Sequence, residues 1–279
     1  MEKTLIHAVE RPGRGRSAAQ RRRAVVLIHG AGVDHRDWTF DFIHRIDPAW
    51  RVLAFDRPGF GASGRPSGAA SALPGSQARL LHAAAASFGV SEAIVVGHSW
   101  GGAVAMGWGL AEPEATLGVA SFAGAVAPWS LANAIKNGRR MQSAARAALG
   151  PGGLREAALE ALCESFWPDP VPEGYATHMS TELSPMAGPT AATIADVSTI
   201  NGALALMAPN YPRLERPVEL VYSDSDQILS LSEQGEAAAA LLPQARLTVL
   251  EGAGHMIHQT RQKTCLVALQ RLIDAATSG

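Results

Sequence analysis

Cysteine is nearly absent from this chain: its 279 residues include two, Cys163 and Cys265, far apart and with no histidine or cysteine at metal-ligand spacing. That scarcity excludes a disulfide framework and a thiolate zinc site. It leaves two ordinary buried thiols as the expectation and points to a reducing, cytoplasmic setting. An excess of charge of one sign is also missing. The 24 basic residues meet 25 acidic ones for a formal net charge of −1, so no global field draws the chain to nucleic acid or an anionic membrane. No apolar run approaches the roughly 18 residues a membrane span needs. The opening MEKTLIHAVERPGRG has neither an apolar core nor a small-residue cleavage site and does not read as a secretory signal. Arg21, Arg22 and Arg23 before AVVLIHGAGV superficially suggest a twin-arginine export signal. The apolar run soon turns into a loop holding Asp34, His35, Arg36 and Asp37, which reads better as a buried strand entering a functional loop. Lysine is sparse beside arginine, alanine and glycine, a usage that hints at a GC-rich bacterial genome.

What is present is a rhythm of short β-branched runs and helix-length segments. Val25 to His29, Val52 to Phe55, Ala93 to Val96, Leu117 to Phe122, Val218 to Tyr222 and Arg246 to Leu250 read as buried strands, with an antiparallel edge strand over 4–9. Gln77 to Phe88, Trp100 to Ala111, Ser232 to Leu242 and Thr260 to Ala276 read as helices. Such alternation predicts an α/β fold, a mostly parallel sheet covered on both faces. From about Pro128 to Pro212 the rhythm breaks. No strand reads clearly there, and Ala132 to Leu149 and Leu154 to Phe166 read as helices. Trp129, Met141, Phe166, Trp167, Tyr175, Met179, Met186, Met207 and Tyr211 would give this layer an apolar face. The expected organisation is therefore a core formed by 1–127 and 213–279, with a helical cap, 128–212, inserted between two strands.

The decisive segment is AIVVGHSWGG, Ala93 to Gly102. Its Gly97-His98-Ser99-Trp100-Gly101 follows an apolar strand and opens a helix, the context a G-x-S-x-G nucleophile elbow requires. Serine at the elbow means acyl transfer, where aspartate would mean an alkyl-enzyme. A serine hydroxyl needs a base, and the base needs an orienting acid, expected in the chain order Ser, acid, His. LTVLEGAGHMIH puts His255 in a Gly-rich loop after a strand, with His258 as competitor on the run into the last helix. VELVYSDSDQIL supplies Asp226, with the offset to reach the base, and Asp224, better suited to a turn. The other loop that could carry the acid, AGAVAPW after Phe122, has no carboxylate. The oxyanion needs two backbone N–H groups. Trp100 supplies one, and His29-Gly30-Ala31-Gly32 supplies the other, from Ala31 or, as runner-up, Gly32. His29 and His98 read as loop-bracing residues.

HGAG at 29–32, DRPGFGASGRP at 56–66, GHSWGG at 97–102, SDSD at 223–226 and GAGHM at 252–256 together make the chain resemble the α/β-hydrolase superfamily over nearly its whole length. The resemblance implies an eight-stranded sheet, here abbreviated at its N-terminus, and an active site between core and cap. The elbow resembles that of prolyl aminopeptidases, but HGAG stands where they carry HGGPG, and the longer loop of C–C hydrolases is absent. Tyr175 and Tyr211 resemble the cap tyrosines of epoxide hydrolases, whose chemistry Ser99 excludes. What remains is the esterase, lactonase and cofactor-free haloperoxidase-like group. The expected reaction is hydrolysis of a small to medium, largely apolar ester through an acyl-enzyme, without metal or organic cofactor. Gly30, Gly32, Trp129 and Trp167 are the expected substrate contacts. The expected partner is a small-molecule substrate, with a homodimer left open. An amidase, a C–C hydrolase or a ligand-binding receptor on the same fold are the rival readings.

Overall fold

The computed structural model describes residues 4–15, 17–130, 132, 153–180 and 187–278. Seven strands form one sheet in the order β1-β3-β2-β4-β5-β6-β7. They are β1 (Ala8–Arg11), β2 (Arg23–Ile28), β3 (Arg51–Phe55), β4 (Glu92–His98), β5 (Thr116–Phe122), β6 (Val218–Ser223) and β7 (Ala245–Leu250). Only β1 pairs antiparallel, along β3, and every other pair is parallel. The central runs, such as Val25–Ile28 and Ile94–Val96, are fully buried on both faces, which explains why they read as continuous apolar strings rather than alternating ones.

Two cores flank the sheet. One packs Val26, Ile28 and Val95 against Leu81, Val104 and Met106, from the helices Pro74–Ser87 and Trp100–Ala111. The other packs Val25, Leu27 and Val96 against Trp38, Phe42 and the apolar stripe Cys265, Leu269, Leu272 and Ile273 of the C-terminal helix Gln262–Ser278. Cys265 is buried and its thiol is pushed up, by desolvation, to a value that keeps it protonated. Because β2 lies between β3 and β4, the strand order reverses there, and the loops after β2 and β4 open side by side at the carboxyl ends of their strands. In open α/β sheets ligands bind at such a switch point.

Some expectations need correction. Among the described residues the sheet has seven strands, in line with an abbreviated N-terminus, but the edge strand is Ala8–Arg11 rather than 4–9. The arginine-rich segment before β2 contains a short exposed helix, Ala18–Arg22, with a Ser17–Gln20 capping box at its start. The expected helix over 232–242 changes pitch at Glu236, where a π-turn gives way to an α-helix. Between β5 and β6 lie the helices Gly153–Glu164, Tyr175–Ser180 and Ala187–Met207. The expected helix Ala132 to Leu149, apart from Ala132, and Met186 fall outside the described residues. The expectation that nothing would be apolar enough to span a membrane also needs amending. By length and composition alone, Thr190–Arg213 is. Its Asp196 is fully buried in ion pairs, and its Ile200, Leu204 and Tyr211 join the first core, as in a helix packed against protein.

Candidate active site

Ser99 occupies the turn between β4 and the helix Trp100–Ala111 at φ 53°, ψ −123°. A non-glycine residue there is strained, and its neighbours hold it in place. The Ser99 N–H donates to the Phe122 carbonyl at 3.1 Å, and the Ser99 carbonyl accepts from Gly102 and Ala125, each at 2.9 Å. The spacing of glycines follows from this close approach. A Cβ on Gly97 would overlap the Gly101 carbonyl, and one on Gly101 would overlap the carbonyl of Ile28. Gly97→Ala should therefore destabilise at or beyond the upper end of the roughly 1–3 kcal/mol that overpacking costs. A thermal midpoint within error of the unsubstituted protein would refute that account of the motif.

The loops after β6 and β7 bring Asp226 and His255 together. His255 Nδ1–H donates to Asp226 Oδ2 at 2.7 Å, with both side chains nearly excluded from solvent. The other Asp226 oxygen accepts from the Ile228 and Leu229 N–H groups at 2.7 and 3.0 Å, so the carboxylate cannot rotate without losing them. Asp224 is exposed and accepts from the Gly252 N–H at 2.9 Å; it ties the two loops and does not contact His255. His255 is held from behind, since its carbonyl accepts from His98 Nε2 at 3.2 Å and its N–H donates to the Ser165 carbonyl at 3.1 Å. Asp169 adds a brace: it accepts from the Gly254 N–H and Thr260 Oγ1 and pairs with Arg261 at 2.7 Å.

The loop after β2 lies against Ser99. A Cβ placed on Gly30 would be 3.0 Å from Ser99 Cβ and 3.2 Å from His98 Nδ1, so only glycine lets the backbone come so near. The Gly30 carbonyl accepts from His29 Nδ1 at 2.8 Å and from Arg57 Nη2 at 2.9 Å. A trans peptide puts N–H opposite C=O, so the Ala31 N–H points away from Arg57. Trp100 begins its helix, and its N–H has no intrahelical acceptor. Gly32 is exposed at φ 76°, with open space where a Cβ would stand. Trp129 is half-buried against the first core, its N–H donating to Asn201 Oδ1 at 2.7 Å. Trp167 is 62% exposed, a rim position rather than an interior wall. Tyr175 and Tyr211 use their hydroxyls on Asp37 and the Val126 carbonyl.

Among the described residues, two groups bring histidine and aspartate atoms within 4.8 Å of one another: His7, His35, Asp56 and Asp37, His98, His258. In the first, both imidazoles hydrogen-bond the buried Asp56, at 2.7 and 2.8 Å. In the second, His258 donates to Asp37 at 2.9 Å, and its ring lies 4.1 Å from that of His98. His258 is thereby occupied away from Asp226. Against burial, the imidazoles and hydrogen bonds around Asp37 and Asp56 hold both carboxyls well below the usual range. Burial, and then the nearby His258 and His255, push His98 well below an ordinary histidine.

His29 is fully buried, and burial followed by the Arg57 charge lowers it to about 4. Its Nε2 accepts from the Arg57 N–H at 2.9 Å, a role that protonation would end. Above about pH 6.5 both folded and unfolded states carry neutral His29. Between there and about 4 the unfolded state takes a proton that the folded state refuses, so stability falls as pH drops. His29 alone supplies about 3 kcal/mol across that window, and His98 acts in the same direction. His35, raised because Asp56 outweighs its burial, acts oppositely and offsets part of it. Denaturant midpoints should therefore fall between pH 7.5 and 5. His29→Gln should be less stable at 7.5 and show a flatter pH dependence; an unchanged slope would refute the assignment.

Arg57, Asp196 and Asp169 had no role in the sequence reading. Arg57 sits in the DRPGFG motif, but its partner Asp196 is 139 residues away, and nothing local marks either as a pair.

A profile described as the alpha/beta hydrolase family matches residues 25–265. A stretch of 116 residues is 36% identical to the dihydrolipoyllysine-residue acetyltransferase component of an acetoin cleaving system from Cupriavidus necator. That stretch is 41% of this chain and 29% of the relative, so the chain spans under a third of that protein's length. Among solved structures, an esterase from Exiguobacterium antarcticum superposes with a TM-score of 0.77 at 16% identity, covering 97% of this chain and 96% of the other. An enol-lactonase from Burkholderia xenovorans LB400 gives 0.76 at 17% identity, covering 97% of each chain. At such identities the likeness is one of fold.

Proposed function

This chain belongs to the alpha/beta hydrolase family, and within it we propose a serine hydrolase that cleaves carboxylic esters through an acyl-enzyme. The observation that carries this reading is Ser99 held at φ 53° against Gly30, with the His255–Asp226 pair brought from the loops after β6 and β7. Ser99 Oγ attacks the ester carbonyl while His255 Nε2 takes its proton. The tetrahedral oxyanion is received by the N–H groups of Trp100 and Ala31. The carbonyl re-forms, the ester C–O bond breaks, and His255 returns the proton to the departing alcohol. Water, deprotonated by the same imidazole, then attacks the acyl-enzyme, releasing the acid and regenerating Ser99. Asp226 keeps the Nδ1–H tautomer and stabilises the imidazolium.

The substrate we propose is small to medium and largely apolar, with Trp129 inside and Trp167 at the rim as contacts. Turnover of p-nitrophenyl esters from acetate to octanoate measures this directly. Hydrolysis with a preferred acyl length that shifts in Trp129→Ala or Trp167→Ala supports the reading. Unchanged preference in both, with folding intact, removes those residues from the site. No turnover of any ester by folded protein turns the reading toward amide or C–C substrates.

A further inference from the structure

Asp196 lies on the helix Ala187–Met207 with no exposed surface, and its carboxylate is the meeting point of several groups. Arg57 Nη1 donates to Oδ2 at 2.6 Å, Arg65 Nη2 to Oδ1 at 2.7 Å, and Gln77 Nε2 to Oδ1 at 3.2 Å. The Asp196 carbonyl accepts from Trp100 Nε1 at 3.1 Å. Arg57 is equally buried. Its guanidinium lies 4.3 Å from the ring of Phe60 and 4.3 Å from that of Trp100, so it cannot tilt. Three further N–H groups donate to the His29 carbonyl at 3.0 Å, the Gly30 carbonyl at 2.9 Å and Gln77 Oε1 at 3.1 Å.

We infer that Asp196 is a positioning residue for the oxyanion hole, acting through Arg57; this rests on the hydrolase reading above. The Gly30 carbonyl and the Ala31 N–H belong to one peptide plane. Fixing the carbonyl on Arg57 fixes the direction of the N–H. The same carbonyl also accepts from His29 Nδ1 at 2.8 Å, and Gly32, beyond Ala31 at φ 76°, has open space where a Cβ would stand. The planar guanidinium, with donors in a rigid fork, suits this task as a lysine does not. Asp196 sets where the fork sits, and its carbonyl holds the side chain of Trp100, whose backbone supplies the other donor. Both proposed oxyanion donors are thus referenced to one residue of the inserted segment.

Two measurements on the full chain test this. Hydrogen–deuterium exchange reads the loop without any substrate. In Asp196→Asn the peptide covering 29–33 should exchange faster, while that covering 51–55 is unchanged. Arg65→Gln, which strips one partner from Asp196 but touches neither carbonyl, should leave both unchanged. The second measurement is the ratio of turnover of an ester to that of its thionoester, whose sulfur is a weaker acceptor at the oxyanion site. Asp196→Asn should lower kcat by about 10- to 1,000-fold, the upper figure being full loss of one oxyanion donor. KM should change little, and the ratio should collapse toward unity. If Asp196→Asn does not fold, Arg57→Lys keeps the charge beside Asp196 but not the fork, and the same results are expected. Unchanged exchange at 29–33, or a loss carried by KM with the ratio retained, overturns the inference. Faster exchange in the variant alongside no ester turnover by the unsubstituted protein would sink the ester reading and support the loop restraint.

Discussion

Ser99→Ala should abolish p-nitrophenyl ester turnover, lowering kcat by about 10^4- to 10^6-fold, with the thermal midpoint nearly unchanged. Alanine keeps the Cβ against which Gly30 packs and the backbone bonds to Phe122, Gly102 and Ala125. What disappears is the hydroxyl that, on the proposed reading, forms the acyl-enzyme. Steady-state rates with a circular-dichroism melt check both halves. A folded variant retaining more than about 1% of the rate would remove Ser99 from the chemistry, because binding and the oxyanion hole account for only a small residual.

Asp226→Asn should cost about 10^4-fold in kcat, far more than its single atom change suggests. The reason lies in how the carboxylate is held. Its Oδ1 accepts from two backbone N–H groups, those of Ile228 and Leu229. In the asparagine variant the amide oxygen keeps those bonds, so the NH2 group faces His255 Nδ1. The imidazole must then accept there and carry its proton on Nε2, where a base cannot take one from Ser99. Asp224→Asn, by contrast, keeps an amide oxygen for the Gly252 N–H at an exposed site and should leave kcat within about threefold, as surface changes away from chemistry do. A pH–rate profile of both variants separates the cases. Wild-type-like activity in Asp226→Asn would refute the assigned acid.

The elbow was legible in the sequence because its glycines stand at fixed offsets from Ser99. Gly97 is required by the Gly101 carbonyl four residues on, while Gly101 is required by the carbonyl of Ile28 on the neighbouring strand β2, and both requirements appear in the sequence as that spacing. The strands were legible for a related reason: a strand buried on both faces must be apolar at every position. Asp226 and His255 could be proposed in order, as each follows a recognisable strand. Their 2.7 Å contact across 29 residues required the parallel pairing of β6 and β7.

Other features belong to the tertiary structure alone. His29 and His98 look alike in sequence, each beside a glycine after a strand. One accepts from the Arg57 backbone, and the other stands between His255 and His258. The stretch Thr190–Arg213 is apolar enough to read as a span, yet it carries a buried aspartate. Asp196 illustrates the difference most clearly. A carboxylate on an apolar helix has no local signature of its use, and its partners come from a loop more than a hundred residues earlier. By itself the sequence determined the turn at Ser99, the strand–helix alternation and the order of the candidate triad, because steric and burial constraints act along the chain. Only the tertiary structure decided which charges meet in the dry interior, because burying an ion requires a partner in space and places no condition on its distance in sequence.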